Sequence, residues 1–277
     1  SCMYCGARLT KEQLEAEPPA AQEADEDRAA YYDRAVSRLG WCIKNFGGYQ
    51  KKIMRDVFFE AFETYETGCA PVIQELARGV VPEQQTQLLG RAAAAMLDEL
   101  EAGWQKKGDM EDEKIVLAIF FVPMVRKQQL PISEEFVTIL QKQWVERYPK
   151  SPFYLGDYES ISGGFRKKFL GLCFITTAVC QELGKPDDCE ELTAFRAFRD
   201  GYLRSQPDGE ALIREYYNIA PGIVTCINTC SDRHASYARI REEYLAPCYQ
   251  DLLAGRNESC KARYVRMVRD LEREYLS

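Results

Sequence analysis

The residues best suited to do chemistry are three cysteines close together, Cys173, Cys180 and Cys189, out of eleven in 277 residues. Cys173 and Cys180 are two helical turns apart and share a face if 173–182 is helical. The run between them, Phe174 to Val179, is apolar and β-branched and suits a buried strand equally well. Gly184 and Pro186 stop that element. Asp187 and Glu190 then offer a capping box, which puts Cys189 in the first turn of the next helix. Backbone N–H groups at such a position favour a thiolate. Cys173, two residues after Gly171, takes a similar place. Three convergent thiols would ligate a metal or an iron–sulfur cluster, with Cys226 or Cys230 as a further ligand. A single thiol would act as a nucleophile: Cys173, with His234 as base and Asp232 or Asp200 orienting the imidazole. His234 is the one histidine of the chain, so any site needing two is excluded within one copy. The third alternative is that the sulfurs fill space as small apolar side chains, which free cysteines usually do.

A second cluster opens the chain. Cys2 and Cys5 stand in C-x-x-C-G, followed by Arg8 and Leu9. Two thiolates on one tight turn bind zinc, and Gly6 lets the backbone fold over the ion. Residues 1–9 resemble the knuckle of a zinc ribbon, and that resemblance implies Zn2+ on Cys2 and Cys5. A four-ligand site needs two more thiols, and no other pair has this spacing. A knuckle upstream or a second chain completes the site, or the metal is absent.

The elements that must position Cys173 follow directly. Leu192, Phe195, Phe198 and Tyr202 form a core stripe on the next helix. Arg196 and Asp200 stand at i,i+4, with Arg199 beside them. A further helix starts near Ser205 and Pro207, carries Leu212, Ile213, Tyr216 and Tyr217 inward, and ends at Pro221. Together these residues resemble the CFI-box domain, a bacterial and archaeal family. The matching positions are Cys173, Phe174, Ile175, Thr177 and Ala178, then Arg196, Phe198, Arg199, Asp200 and Leu203, then Gly209, Leu212, Tyr216, Tyr217 and Pro221. The resemblance covers 173–221 and brings no catalytic mechanism. Val179 and Cys180 depart from the family pattern, where Tyr-Gly is commoner.

Elsewhere the periodicity is helical. Thr10 to Glu17 reads as a short helix and Pro18 to Gln22 as a linker. A helix to about Phe46 turns Tyr32, Ala35, Leu39 and Ile43 inward. Tyr49 to Thr67 is strongly amphipathic, and Pro71 and Pro82 each start another helix. In 109–127 Phe120 and Phe121 widen the apolar face, which marks a central helix, and Pro123 should kink it. Residues 148–164 lose the pattern and form a packed loop, a candidate seam or lid. Arg166, Lys167 and Lys168 read as a solvated helix end. Asp232 opens a helix kinked by Pro247, and Asn257 caps the last one. Arg263, Arg266, Arg269 and Arg273 are balanced by Asp270, Glu272 and Glu274, a solvated face.

Composition bounds the function. With 36 basic and 43 acidic residues the net charge is −7, which argues against general nucleic-acid or anionic-membrane binding. The longest apolar run, Ile115 to Val125, is too short to span a bilayer. No signal peptide is visible, and the Ser1 start reads as a trimmed N-terminus. Unpaired, odd-numbered cysteines on long helices fit a reducing cytoplasm. Gly163-Gly164 is too short for a phosphate loop, and no acid/base carboxylate pair stands out. The expectation is an all-α chain of about ten helices, in one bundle or two subdomains, 24–150 and 165–277. It is expected to be a bacterial cytoplasmic binding or regulatory module with a protein partner or a homo-oligomer. The alternative is a thiol-dependent enzyme or a Cys-ligated metal or iron–sulfur protein centred on Cys173.

Overall fold

A computed structural model describes residues 19–106, 108–166 and 173–276, and these are helices, turns and loops without a strand. The chain is all-α. Cys2, Cys5, the 10–17 helix, Lys167 and Lys168 lie outside the described residues. Eleven helices are longer than one turn: α1 (Pro19–Leu39), α2 (Phe58–Gly79), α3 (Gln85–Gly103), α4 (109–127), α5 (Ser133–Arg147), α6 (Tyr158–Arg166), α7 (Phe174–Glu182), α8 (190–203), α9 (Gly209–Cys230), α10 (233–253) and α11 (Asn257–Tyr275).

Two helices are central. In α4 every residue from Val116 to Val125 is buried, so this helix is apolar on all sides, as a core helix must be. α9 lies against it and carries Ile219, Ala220, Ile223, Cys226 and Ile227 inward. α1, α2, α3 and α5 pack on the α4 side, and α7, α8, α10 and α11 on the α9 side. α6 bridges the end of α4 to α9. The buried side chains of 24–150 and 165–277 form one continuous core. Phe58 of α2 stacks on Phe165 of α6, with ring centroids 4.3 Å apart.

The prolines behave differently from the sequence expectation. Pro71 and Pro221 were expected to start and end helices, yet both lie inside one, α2 and α9. A missing rung costs about 3 kcal/mol in an isolated helix, and here the flanking turns are buried on their apolar faces. Pro123 and Pro247 were expected to kink their helices. Each follows a π turn, Leu117–Phe121 and Arg241–Leu245. The carbonyl four residues before each proline, the one that loses its donor, lies inside that wider turn. At the other end of the chain, α1 begins at Pro19, inside the expected linker; proline suits a first helical turn, where its N–H would be unpaired anyway.

Other caps also moved. Asp187 does not start α8; Cys189 is its N-cap, in extended backbone, and Asp187 is taken by Arg196. α6 lies within the expected loop, its pattern hidden by Gly163 and Gly164; Asp157 starts it by accepting from the Ser160 amide at 2.8 Å. The rest of 148–157 packs as expected. Phe153 is fully buried, and the Trp144 indole donates to the Ser151 carbonyl. Gly184 does stop α7, at φ +67, and Asp232 does cap α10 through the Ala235 amide.

One glycine ties the two central regions. A Cβ on Gly222 of α9 would collide with the backbone carbonyl of Ile53. Next to this contact the Arg55 amide donates to the Asn218 carbonyl at 3.1 Å. Backbone cannot give way as a flexible side chain does, so Gly222→Ala should destabilise the fold by about 1–3 kcal/mol. Gly163 on α6 meets nothing within 4 Å, so Gly163→Ala should stabilise by about 0.5–1 kcal/mol. Urea midpoints of the two variants moving in the same direction would contradict this assignment.

Candidate functional site

Several positions that carry the CFI-box resemblance, Cys173, Ile175, Arg199, Tyr216 and Tyr217, meet at the N-terminus of α7. Cys173 is the residue before that helix, and its sulfur accepts from Arg199 Nη1 at 3.6 Å. The same nitrogen donates to the Tyr217 hydroxyl at 3.0 Å. The other edge of the guanidinium makes a two-point contact with Asp200, at 2.8 and 2.6 Å. Tyr216, next in sequence, accepts from the Ile175 amide at 3.0 Å. This satisfies one of the orphan N–H groups at the start of α7. Thr176 and Tyr264 of α11 share a hydrogen bond of 3.2 Å. Phe174 packs edge-on against Tyr217. Gly209 belongs to the same construction: a Cβ there would strike the Leu203 carbonyl, so the turn from α8 to α9 closes only on glycine.

The sequence paired Arg196 with Asp200. In the fold Arg196 reaches back over the loop to the Asp187 carboxylate and carbonyl, at 2.8 and 2.7 Å. Asp200 takes Arg199 instead, and Arg204 lies 3.9 Å away. Arg199 is buried while the Asp200 side chain is half exposed. The pair is therefore one buried cation held by a carboxylate that keeps one side in water.

Burial pushes the Cys173 thiol up, and the nearby Arg199 and Arg196 charges offset only part of that. The thiol is protonated at neutral pH. Tyr216 and Tyr264 are also raised by burial, so the surroundings of Cys173 are neutral hydroxyls and one neutralised guanidinium. An apolar cavity of about 60 Å3 adjoins them, lined by Phe195, Phe198, Leu203, Leu212, Ile213 and Val268 among others. That is room for a few waters or a short alkyl group.

His234 stands elsewhere. Its imidazole is exposed and pairs with Glu182, the last residue of α7, which also takes Arg233 at 2.8 Å. Cys173 and Glu182 sit at opposite ends of α7, roughly 13 Å apart along its axis. The structure does not bring thiol and imidazole together. Asp232 is occupied as the cap of α10.

The other sulfurs of the described residues come in twos. Cys180 and Cys189 face each other, with Sγ atoms 3.9 Å apart. Cys42 lies against Cys69, Cys248 against Cys260, and Cys226 and Cys230 follow one another on α9. Cys173 does not join Cys180 and Cys189. Among the described residues no three Cys, His, Asp or Glu side chains stand close enough to hold a metal ion. No helix among them is long and apolar enough to cross a membrane.

Sequence reasoning missed two features. Lys114 is buried on α4, donates to Ser151 Oγ at 2.7 Å and pairs with Glu111. A serine beside a lysine suggests a nucleophile and base, but this lysine is committed to Glu111 as well as to Ser151, and together they tie the 148–157 loop to α4. No spacing in the sequence links 114 to 151. The second is a groove of about 510 Å3 between α6, α7, α9 and α10. Phe174, Ala178 and Val224 form apolar parts of its wall; Thr177, Gln181, Asn228 and Tyr237 supply polar ones. The Thr177 hydroxyl is buried there without a hydrogen-bond partner. Comparison with known protein families, curated proteins and solved structures finds no match to this chain.

The Arg199–Asp200 contact makes a testable ledger. The contact holds the Asp200 carboxyl below its ordinary range. A depressed carboxylate stabilises the fold above its unfolded value, and that contribution is lost as pH falls through the lower folded value. Asp200→Asn leaves the buried guanidinium without its counter-charge and should cost about 2–3 kcal/mol at pH 7. Arg199→Met removes the buried charge and leaves a half-exposed carboxylate, so it should cost less. The gap between wild type and Asp200→Asn should close below about pH 4. Equal losses for both variants at pH 7, or a gap unchanged at pH 3, would show that the contact carries no such weight.

Proposed function

We propose that the chain is a protein-interaction module in which the CFI-box-like segment 173–221 is scaffold and the groove beside it is the binding surface. The observation that carries this reading is the state of Cys173: buried, protonated, held against an arginine that is itself neutralised, and separated from the lone imidazole by the length of α7. A catalytic thiol is activated by an adjacent base or by a lowered pKa, and neither accompanies this sulfur. The groove offers uncharged partners instead. The Thr177 hydroxyl and the Gln181 and Asn228 amides, between Phe174 and Val224, suit the hydrogen-bonding groups and side chains of a polypeptide better than an anion. Of the charged groups in its lining, Glu182 pairs with Arg233 and Glu159 with Arg166, so each carboxylate has a cationic partner.

The iodoacetamide reactivity of the native chain, mapped by peptide mass spectrometry, separates this reading from thiol chemistry. Cys173 should react no faster than Cys42 or Cys226, in wild type and in His234→Ala alike. A Cys173 that alkylates fast and loses that reactivity in His234→Ala would make the chain a thiol enzyme. For the groove, a photo-crosslinking side chain at Gln181 should capture a discrete protein in the chain's own cells. The same probe at Lys142, on the opposite side of the core, should not. Identical products from both positions would remove the groove from the proposal.

A further inference from the structure

Among the described residues three pairs of thiols lie in contact, Cys42 with Cys69, Cys180 with Cys189 and Cys248 with Cys260, and Cys226 and Cys230 follow one turn apart on α9. Cys42, Cys69, Cys226, Cys230, Cys248, Cys260 and Cys180 are all buried, whereas Cys189 is partly open to solvent. Among the described residues, the pair Cys180 and Cys189 alone joins a partly exposed cysteine to a buried one. Cys189 also stands at a helix boundary, as the N-cap of α8. It ends the loop from α7 to α8, in extended geometry, and its sulfur caps nothing. It points instead at Cys180 Sγ, 3.9 Å away. The loop itself is held in shape by its backbone, with Lys185 N–H donating to the Cys180 carbonyl at 2.9 Å and Cys189 N–H to the Pro186 carbonyl at 3.1 Å. Both ends of the ten-residue span are thus presented to each other before any covalent change.

We propose that Cys180 and Cys189 are a redox-active dithiol, which a hydroperoxide converts into a disulfide joining the last turn of α7 to the start of α8. In the first step the Cys189 sulfur attacks one peroxide oxygen and the O–O bond breaks. Cys189 becomes a sulfenic acid, and the second oxygen leaves as water or, from an alkyl hydroperoxide, as the alcohol. In the second step the Cys180 sulfur attacks the Cys189 sulfur, the S–O bond breaks and water leaves with the Cys180 proton. Two electrons pass from the two sulfurs to the peroxide, and two thiol hydrogens end in the products. The sulfurs must close from 3.9 Å to a bond of about 2.05 Å. Rotation of the uncommitted Cys189 side chain provides most of that movement. Division of labour follows from position: the outer thiol meets the oxidant and the inner one resolves. The inner thiol is pushed up to about 12 by burial and by its neighbour Cys189, which keeps it protonated until the sulfenic acid forms. This inference does not depend on the groove reading.

The test uses the full reduced chain and hydrogen peroxide. Digestion without reductant, by a protease that cuts at acidic residues between 182 and 188, should yield a 180–189 cross-linked peptide lacking two hydrogens. In Cys180→Ser, dimedone should label Cys189 as its sulfenic acid. In Cys189→Ser, dimedone should leave Cys180 unlabelled. Cys42, Cys69, Cys226, Cys230, Cys248 and Cys260 serve as internal controls and should oxidise at least about tenfold more slowly. Circular dichroism checks that each variant is folded, and Cys189→Ala replaces Cys189→Ser if the hydroxyl disturbs the cap. The proposal is overturned if 180 and 189 stay reduced while buried cysteines oxidise, if Cys189 ends only as sulfinic acid in the wild type, or if dimedone labels Cys180 first.

Discussion

A guanidinium cannot leave water unless its donors are met, and the second half of this molecule is built around meeting those of Arg199. Its planar fork turns one edge to Asp200 and the other to Tyr217 and the Cys173 sulfur. Those partners come from α8, α9 and the residue before α7. Holding all of them fixes three helices relative to one another with the directionality that hydrogen bonds have and apolar contacts lack. The carboxylate that neutralises the charge remains half in solvent, so the desolvation penalty of a fully buried pair is reduced. Tyr216 and Gly209 complete the joint by different means. One supplies an acceptor to the start of α7, and the other removes a side chain so that two elements can touch.

This joint explains why burial outweighs two nearby arginines at Cys173. Positive charge close to a thiol ordinarily favours the thiolate. Here the guanidinium is already committed, and the sulfur is enclosed by aromatic and aliphatic side chains. Desolvation wins. Arginine near cysteine in a sequence is therefore a poor guide to reactivity unless the partner of the arginine is known, and that partner was set by the fold.

Much of the fold was legible because helical periodicity is local. The all-α class, the central place of 109–127, the stop at Gly184 and the cap at Asp232 each rest on residues within a turn or two of one another. The errors share one cause. Pro71, Pro221 and Asp187 were read by local rules, and in each case a distant group decided: core packing on both sides of the prolines, and Arg196 reaching across a loop to Asp187. At the candidate site, the motif residues were found by their types, but not their wiring. Arg199 and Asp200 are adjacent in sequence, a spacing that rarely marks a pair, and Arg196 offered the conventional i,i+4 alternative. The groove, the Lys114–Ser151 tie and the facing of Cys180 and Cys189 join residues by tertiary geometry that no spacing rule encodes.

The π turn in α4 has a consequence for how insertions and deletions would act. A π turn holds one residue more than the α-turn it replaces, so everything after Phe121 is rotated by roughly 100° from where an unbroken helix would put it. Through that offset Arg126 meets Glu134 and the Gly156 carbonyl, and Lys127 meets Glu66 and the face of Tyr158. Losing a single residue from 117–121 would restore a regular α repeat and swing all of those groups off their partners. The length of that segment, more than any one side chain within it, sets the phase between the two ends of α4.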